Sequence, residues 1–456
     1  MGPRPRSSQH KAAHAPGSEI TEDSAALDFT RQHRDQLRFD HDAGDWFCWT
    51  GSHWRREVTG LALEWARQLA RTLSQDTTGR DRYALGKTSF ASGVEKFARG
   101  DRAFAVTADY WDCDPMLLGT PGGTVDLRTG VLRAPDPNDA ISKVTLVAPA
   151  ETADCPRFLA FLNEATGNDT ELIRFLQQFC GYCLTGSVQE HALIFVYGPG
   201  KNGKSVLLNT VSSILGDYAT TATMDALTVA IGERHTTDIA MLHGARVVTA
   251  SETEEGKAWA EARIKQPTGG DPVTARFMKQ DNFTFRPTFK LMIVGNHKPT
   301  LHNVDEAARR RFNIVPFTRM PAKPDPTLEA KLRTEAPGIL RWMIDGCLDW
   351  QANGLQRPQT VVDATEEYFS NQDTFGQWLD EECDVEPSNV WKNETSAALF
   401  KSWQAYATSA GAKPGSRTAF ADAMERRGIK KGKGAKGARL YRGVCLKRPP
   451  DDIPFN

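Results

Sequence analysis

Apolar positions along this chain change period several times, and each change marks an element. Spacing is helical around Ser24–Leu37. Trp46, Phe47, Trp49 and Trp54, broken by Gly44 and Gly51, predict short strands joined by a turn. Helical spacing returns over Ala62–Ser74 and roughly over Ser89–Phe97. Residues 117–133 alternate apolar and polar positions around Gly119, Gly122, Gly123 and Gly130, which predicts a hairpin-rich segment. From Pro156 to Leu184 the pattern is helical again. Beyond it, strand-like runs alternate with helical ones, the mark of a parallel α/β sheet. The strand candidates are Ala192–Tyr197, Arg246–Ala250, Phe289–Val294 and Phe312–Phe317. Val206, Leu207, Val211, Ile214 and Leu215 fall on one face of a helix that starts at about Lys204, and Gly216 stops it. A Pro-rich linker, Pro321–Pro326, leads into helices that run to about Ala352. Farther on, Trp391–Ala407 and Arg417–Arg427 read as helices, and Lys430–Gly437 with Leu440–Cys445 as a Gly-rich turn beside a strand. No internal repeat is seen at solenoid or propeller periods.

Composition narrows the class. The 456 residues correspond to about three domains on a ~150-residue prior, and the hydrophobic (40%) and charged (25%) contents suit a soluble globular chain. Residues 1–20 carry Pro, Ser, His, Lys and Arg with no apolar stretch, so they read as a disordered arm and not as a signal peptide. No apolar run approaches a membrane span, and no membrane partner is expected. Eight scattered Cys suggest reduced thiols and a cytoplasmic setting. Cys180 and Cys183 form a C-x-x-C inside an apolar helical pattern, which favours two core cysteines over a metal site.

The chemistry concentrates after Tyr197. Gly198, Pro199, Gly200, Lys201, Asn202, Gly203, Lys204 and Ser205 fill a G-x-x-x-x-G-K-S pattern between a candidate strand and a candidate helix. In that context the glycines turn the backbone so that N–H groups face phosphate oxygens, and the helix adds its positive end. Lys204 would reach the β- and γ-phosphates of a nucleoside triphosphate, and the Ser205 hydroxyl would ligate Mg²⁺. A second strand, Arg246–Ala250, ends in Ser251-Glu252-Thr253-Glu254-Glu255. Glu252 is the first candidate for Mg²⁺ and for polarising the attacking water, and Glu254 the second. Glu255 reads as the acidic first turn of the next helix. A third strand ends at Gly295-Asn296, whose amide could position the water or sense the γ-phosphate. Arg311, with Arg310 next in order, suits an arginine finger reaching into a neighbour's site.

Basic residues supply the nucleic-acid candidates. Val273–Phe277 and Phe283–Phe285 predict a hairpin with Lys279 near its tip and Arg276 on its arm. A grip on the nucleic-acid backbone and a plain surface hairpin are both compatible with that composition. Residues 413–448 hold twelve Lys or Arg against Asp422 and Glu425. Helix, helix and β wing describe a winged-helix module, with Arg417–Arg427 as a candidate groove-reading helix and Arg426, Arg427, Lys430 and Lys431 as candidate DNA contacts; a solvated basic tail is the alternative, and the apolar periodicity favours the folded module. The aromatic cluster near Trp46, beside His53, Arg55 and Arg56, could stack on bases, but the core of a small sheet is the favoured reading.

The order of these motifs resembles the superfamily 3 helicase core of phage and plasmid primase-helicases. The resemblance rests on the phosphate loop, Ser-Glu-Thr-Glu-Glu-Gly, Thr-Gly-Gly-Asp-x-x-Thr-Ala-Arg, Gly-Asn-His-Lys-Pro and Asp-x-Ala-x-Arg-Arg-Arg-Phe, across about residues 156–319. Trp111-Asp112-Cys113-Asp114-Pro115 and Asp126-Leu127-Arg128-Thr129-Gly130 resemble the small domain that precedes this core. The resemblance implies an α/β fold: an AAA+-like P-loop NTPase core (156–320), a small α+β N-terminal domain (21–155), a helical extension (321–356) and a C-terminal winged-helix domain (360–448). It implies a homo-hexameric ring that moves 3′→5′ on single-stranded and forked DNA, with ATP and Mg²⁺ at sites shared between subunits. Lys204, Ser205, Glu252, Asn296 and Arg311 take the roles argued above, and Lys279 lies on the DNA-contacting hairpin. Asp112 and Asp114 belong to the small-domain motif and are not read as a primase metal site, so either a separate primase or none serves this chain, and a separate primase or polymerase is a candidate partner. An ATP-switched replication initiator without strand separation, and the helicase part of a split primase-helicase, are the alternatives.

Overall fold

The computed structural model describes residues 20–447 apart from 76, 229–236, 252–257, 277–281, 302–305, 322, 390, 411, 413 and 434–438. It is a mixed α/β protein with six sheets and four hydrophobic clusters among the described residues. The N-terminal part opens with the helix Glu22–His33, capped reciprocally by Thr21 and Ser24. Helical spacing continues to Leu37, but the helix stops at His33, because Leu37–Asp40 (β1) pairs with Asp45–Trp49 (β2) and that register takes over. Trp54–Arg56 (β3) and Ala105–Val106 (β4) complete a sheet ordered β3-β2-β1-β4. Helices Leu61–Gln75 and Thr88–Gly100 pack with Glu22–His33 on this sheet. Trp46 and Trp54 are buried, so the aromatic cluster is core.

Leu117–Thr120 (β5), Gly123–Asp126 (β6) and Val131–Arg133 (β7) form consecutive antiparallel strands. Their apolar residues Leu118, Val125 and Leu127 belong to the same cluster as helices Pro156–Thr166, Thr170–Cys183 and Ala336–Asn353.

The central sheet is parallel. It contains Leu193–Tyr197 (β8), Ala219–Thr221 (β9) and Val247–Ser251 (β10). After a small antiparallel hairpin, Val273–Ala275 (β11) with Phe283–Phe285 (β12), come Lys290–Gly295 (β13) and Phe312–Pro316 (β14). The order is β14-β8-β13-β10-β9. Both faces are covered. Along β8, Ile194 and Val196 enter one cluster, and Leu193 and Phe195 enter another. This is the period-2 alternation of a strand buried on both sides, and it is why the run reads as continuously apolar.

The C-terminal part contains helices Thr374–Glu382, Ser396–Ser409 and Arg417–Arg426 around their own core. Cys383–Val385 (β15) and Asn393–Thr395 (β16) precede Lys430–Lys433 (β17), Arg439–Arg442 (β18) and Val444–Leu446 (β19). The sheets are β15-β19 and β16-β18-β17. The helix expected from Trp391 starts instead at Ser396. Residues 393–395 pair with β18, and the Thr395 hydroxyl accepts from Ala398 N (3.2 Å) as the cap. Among the described residues, no helix is long and apolar enough to cross a membrane.

Candidate functional site

Strand register brings the loop after β8 and Asn296 after β13 to one edge. Tyr197, the last residue of β8, lies opposite Gly295 of β13 and Pro316 of β14, while Ser251 of β10 lies opposite Val294. The C-terminal ends of four parallel strands therefore meet there, the edge at which open α/β sheets bind ligands. The loop 198–203 leaves this edge and enters helix Lys204–Leu215. Its path is tight at two glycines. A Cβ on Gly198 would sit 1.9 Å from the Phe317 carbonyl oxygen, and one on Gly203, at φ 86°, would sit 2.5 Å from the Phe161 ring. Gly200 has open space around it, so no steric demand fixes a glycine there.

Lys204 is 6% exposed. Its Nζ donates to Gly198 O (2.7 Å), Pro199 O (3.1 Å) and Asn202 Oδ1 (2.9 Å), all neutral oxygens of its own loop. Burial lowers its pKa, because these partners do not repay full desolvation. Asn202, itself buried, also donates through Nδ2 to Phe317 O, and Phe317 N donates back to Tyr197 O (2.6 Å). One amide thus ties the loop to the end of β14 and aims the ammonium. Gly203 caps the helix without a side chain, so no side-chain oxygen occupies the positive end. Pro199, Gly200, Lys201 and Ser205 are exposed around this point. A preorganised cation, a helix N-terminus and an open loop make a site for a polyanion.

Asn296 follows β13 directly at the same edge and is exposed. Glu252 and Glu254, which follow β10, lie outside the described residues. Lys298 also stands near this edge, its Nζ 4.3 Å from the Tyr197 ring centroid, and burial lowers its pKa. Arg310 and Arg311 are elsewhere. Arg311 precedes Phe312, which pairs with Leu193 at the opposite end of β8. It is therefore separated from its own loop by ~13 Å of strand. Arg311 Nε donates to Thr268 Oγ1 (3.2 Å) and Nη1 to Ala307 O (2.8 Å). Arg310 is exposed.

Lys279 also lies outside the described residues. Arg276 is exposed immediately after β11. In the C-terminal part, Arg426, Lys430 and Lys431 are exposed, with Lys431 Nζ 3.8 Å from Glu425. Arg427 is engaged inside the protein: it bonds Asp373 Oδ1 (2.5 Å) and lies 4.8 Å over the Phe375 ring. Asp112 accepts from Ser142, and Asp114 accepts from Arg128 (2.8 Å) and Met116 N (2.9 Å), so both carboxylates brace the turn they belong to. Cys180 and Cys183 are buried, and burial raises both thiols, Cys183 to about 12. Among the described residues, no group of three or more His, Cys, Asp or Glu could hold a metal ion.

The sequence did not single out two bonds that shape these sites. Asn202 was one position in a pattern, and its buried hold on both Lys204 and Phe317 appears only once β14 is placed beside β8. Thr268 carries no local signal, yet its hydroxyl orients Arg311 and donates to Ile264 O (2.5 Å).

Residues 26–167 match a family described as D5 N terminal like, and residues 196–311 match a family of unknown function (DUF5906). The chain is 25% identical to a "Putative helicase" of Acanthamoeba polyphaga mimivirus over 292 residues, 59% of this chain and 30% of that protein. It is 25% identical to a "Putative helicase" of Frog virus 3 over 254 residues, 50% of this chain and 26% of that one. A "Putative primase" of African swine fever virus is 23% identical over 243 residues, 47% and 25% of the two lengths. The chain thus spans under a third of these curated relatives. The apo structure of the NrS-1 C terminal region superposes with a TM-score of 0.51 at 10% identity, covering 89% of this chain and 96% of that one. That likeness is one of fold. The chain joins a D5 N terminal like segment to a parallel-sheet segment, and the relatives that share parts of it carry helicase and primase names.

Proposed function

We propose that the protein is an ATP-dependent DNA helicase of a replicating phage, plasmid or integrated element, translocating 3′→5′ on single-stranded DNA. The observation that carries this reading is Lys204. It is a buried ammonium held by neutral oxygens at the positive end of a helix, where a phosphate would supply the missing charge. In this reading residues 198–205 bind the phosphates of ATP, and Lys204 contacts the β- and γ-phosphates. Ser205 and Glu252 would hold Mg²⁺, which when bound neutralises charge on the phosphates. Glu252 or Glu254 accepts a proton from the attacking water, and Asn296 orients that water at the same sheet edge.

Arg311 stands at the far end of the sheet, so a catalytic role for it requires a neighbouring subunit's nucleotide. That is the basis for inferring a ring, with a hexamer as the expected size. Arg310, exposed on the same turn, is the positional comparison. The hairpin carrying Arg276 and Lys279, and the basic face of the winged-helix-like C-terminal part, would contact the DNA backbone. The helicase and primase names of the relatives support a replication role. The test is ATP hydrolysis with and without single-stranded DNA. DNA-stimulated turnover that Lys204→Ala removes supports the reading. Undiminished turnover in the well-folded variant refutes it.

A further inference from the structure

The largest exposed aromatic surface among the described residues is Trp391, 89% exposed in the connection that enters β16. An indole left in water beside a well-formed core is uncommon, and its surroundings are specific. Asn393 and Thr395 are exposed on either side of the half-buried Glu394 and share the outward face of β16, and Trp391 stands in the turn just before the strand, where its carbonyl accepts from Asn393 Nδ2 (2.9 Å). The register extends that face across the sheet. Asn393 lies opposite Arg442 of β18, and Arg442 lies opposite Lys430 of β17. Tyr441, on the alternate face, is buried in the core, which fixes the outward direction of Arg442. Arg442 lies across β17 at Gly432, where an added Cβ would stand 2.9 Å from its Nε. Near the tryptophan Lys392 bridges Asp384 (2.6 Å) and Glu386 (3.4 Å), so one negative charge of that group is left over on the Lys392 side, away from the face that Arg442 shares with Asn393.

We propose that Trp391 is a stacking platform for an unpaired base of single-stranded nucleic acid, with Arg442 and Lys430 holding the adjoining phosphates. An aromatic plane next to a row of cations is the arrangement by which single strands are held without sequence preference. Charge complementarity selects this occupant over an apolar protein surface, which would have to desolvate both cations. The inference rests on the reading of the C-terminal part as a nucleic-acid contact, but it does not require ATP hydrolysis or strand separation.

The full-length protein is tested without nucleotide, by anisotropy of a labelled single-stranded oligonucleotide and of an abasic chain of equal length. Trp391→Ala should weaken binding about tenfold on the oligonucleotide and leave the abasic chain nearly unaffected. Trp391→Phe should restore most of the loss. Arg442→Ala should weaken both ligands and lower the slope of log K against log salt by about one. Because Trp391 is outside the core, the melting temperature of each variant should match wild type. Equal binding by wild type and Trp391→Ala, an equal loss on both ligands, or no binding by wild type overturns the proposal. DNA-stimulated ATP turnover, measured separately, would still decide the helicase reading in each of those cases.

Discussion

Lys204 and Lys290 are both buried lysines held by neutral oxygens, at opposite ends of one sheet. Lys290, 1% exposed, donates to Thr185 O, Thr288 O (3.2 Å) and Ser187 O (3.3 Å), and sits 4.8 Å from the Tyr182 ring centroid. Beside it the guanidinium of Arg246 reaches Leu184 O and Leu117 O (2.6 Å). Both cations thus stand at the C-terminal end of helix Thr170–Cys183, where the helix dipole favours positive charge. Lys204 stands at the N-terminal end of its helix, where the dipole opposes positive charge, and its surroundings open to solvent. Burial and carbonyl partners alone therefore do not distinguish a site from a cap. The sign of the local field and the access to solvent do.

Substitution should separate the two lysines sharply. Lys204→Ala should reduce ATP turnover to background while the melting temperature stays close to wild type. Lys290→Met should keep turnover at temperatures where it is folded. A reversal of those outcomes would break the comparison.

Arg311→Ala should lower turnover about 10³-fold with nucleotide binding retained, as expected for loss of a finger supplied by a neighbour. Mixing it with Lys204→Ala should restore activity, because some interfaces in a mixed ring combine an intact lysine with an intact arginine. No rescue in rings shown to be mixed would place Arg311 outside the shared site. Thr268→Val should reproduce part of the Arg311 defect without altering nucleotide affinity, since it removes the acceptor that orients the guanidinium together with the hydroxyl's own bond to Ile264 O.

A smaller effect concerns pH. Burial lowers the Lys290 pKa from 10.5 to about 7 in the folded protein. Below pH 7 both folded and unfolded chains hold the proton, and the burial cost is fully present. Between pH 7 and 10.5 the folded chain releases the proton while the unfolded chain keeps it, so this residue makes stability rise with pH, by up to about 1.4 kcal/mol per pH unit. Urea midpoints at pH 7 and pH 9.5 should diverge more for wild type than for Lys290→Met. Equal divergence would contradict the assignment.

The smallest effect separates two arginines of the C-terminal part. Arg427→Ala should cost about 1 kcal/mol of stability, since it removes a short, half-buried pair with Asp373, and should leave the salt dependence of DNA binding unchanged. Arg442→Ala should do the opposite. A lower salt slope for Arg427→Ala would return that residue to the DNA face.

Much of this was legible in the sequence where local rules and tertiary structure agree. Gly216 ends helix Lys204–Leu215 at φ 54° because the pattern and the backbone requirement coincide. The apolar runs Ala192–Tyr197 and Phe289–Val294 match the central strands Leu193–Tyr197 and Lys290–Gly295, whose alternate residues enter the clusters on the two faces of the sheet. Reading failed where pairing overrode period: Leu37 left the first helix for β1, and residues 393–395 left the expected helix for β16. Arg427 looked like its neighbours in a basic run, and only the fold brings Asp373 and Phe375 against it. Asn202, Thr268 and Trp391 gain their meaning from strand neighbours distant in sequence, which periodicity does not encode.

Strand displacement on forks with a 3′ or a 5′ single-stranded tail, with ATP and Mg²⁺, separates a helicase from an ATP-switched DNA-binding protein. The account predicts displacement from the 3′-tailed fork and none with Lys204→Ala. ATP hydrolysis by a well-folded wild-type protein that displaces neither strand would contradict it and leave an ATP-switched DNA-binding protein in its place.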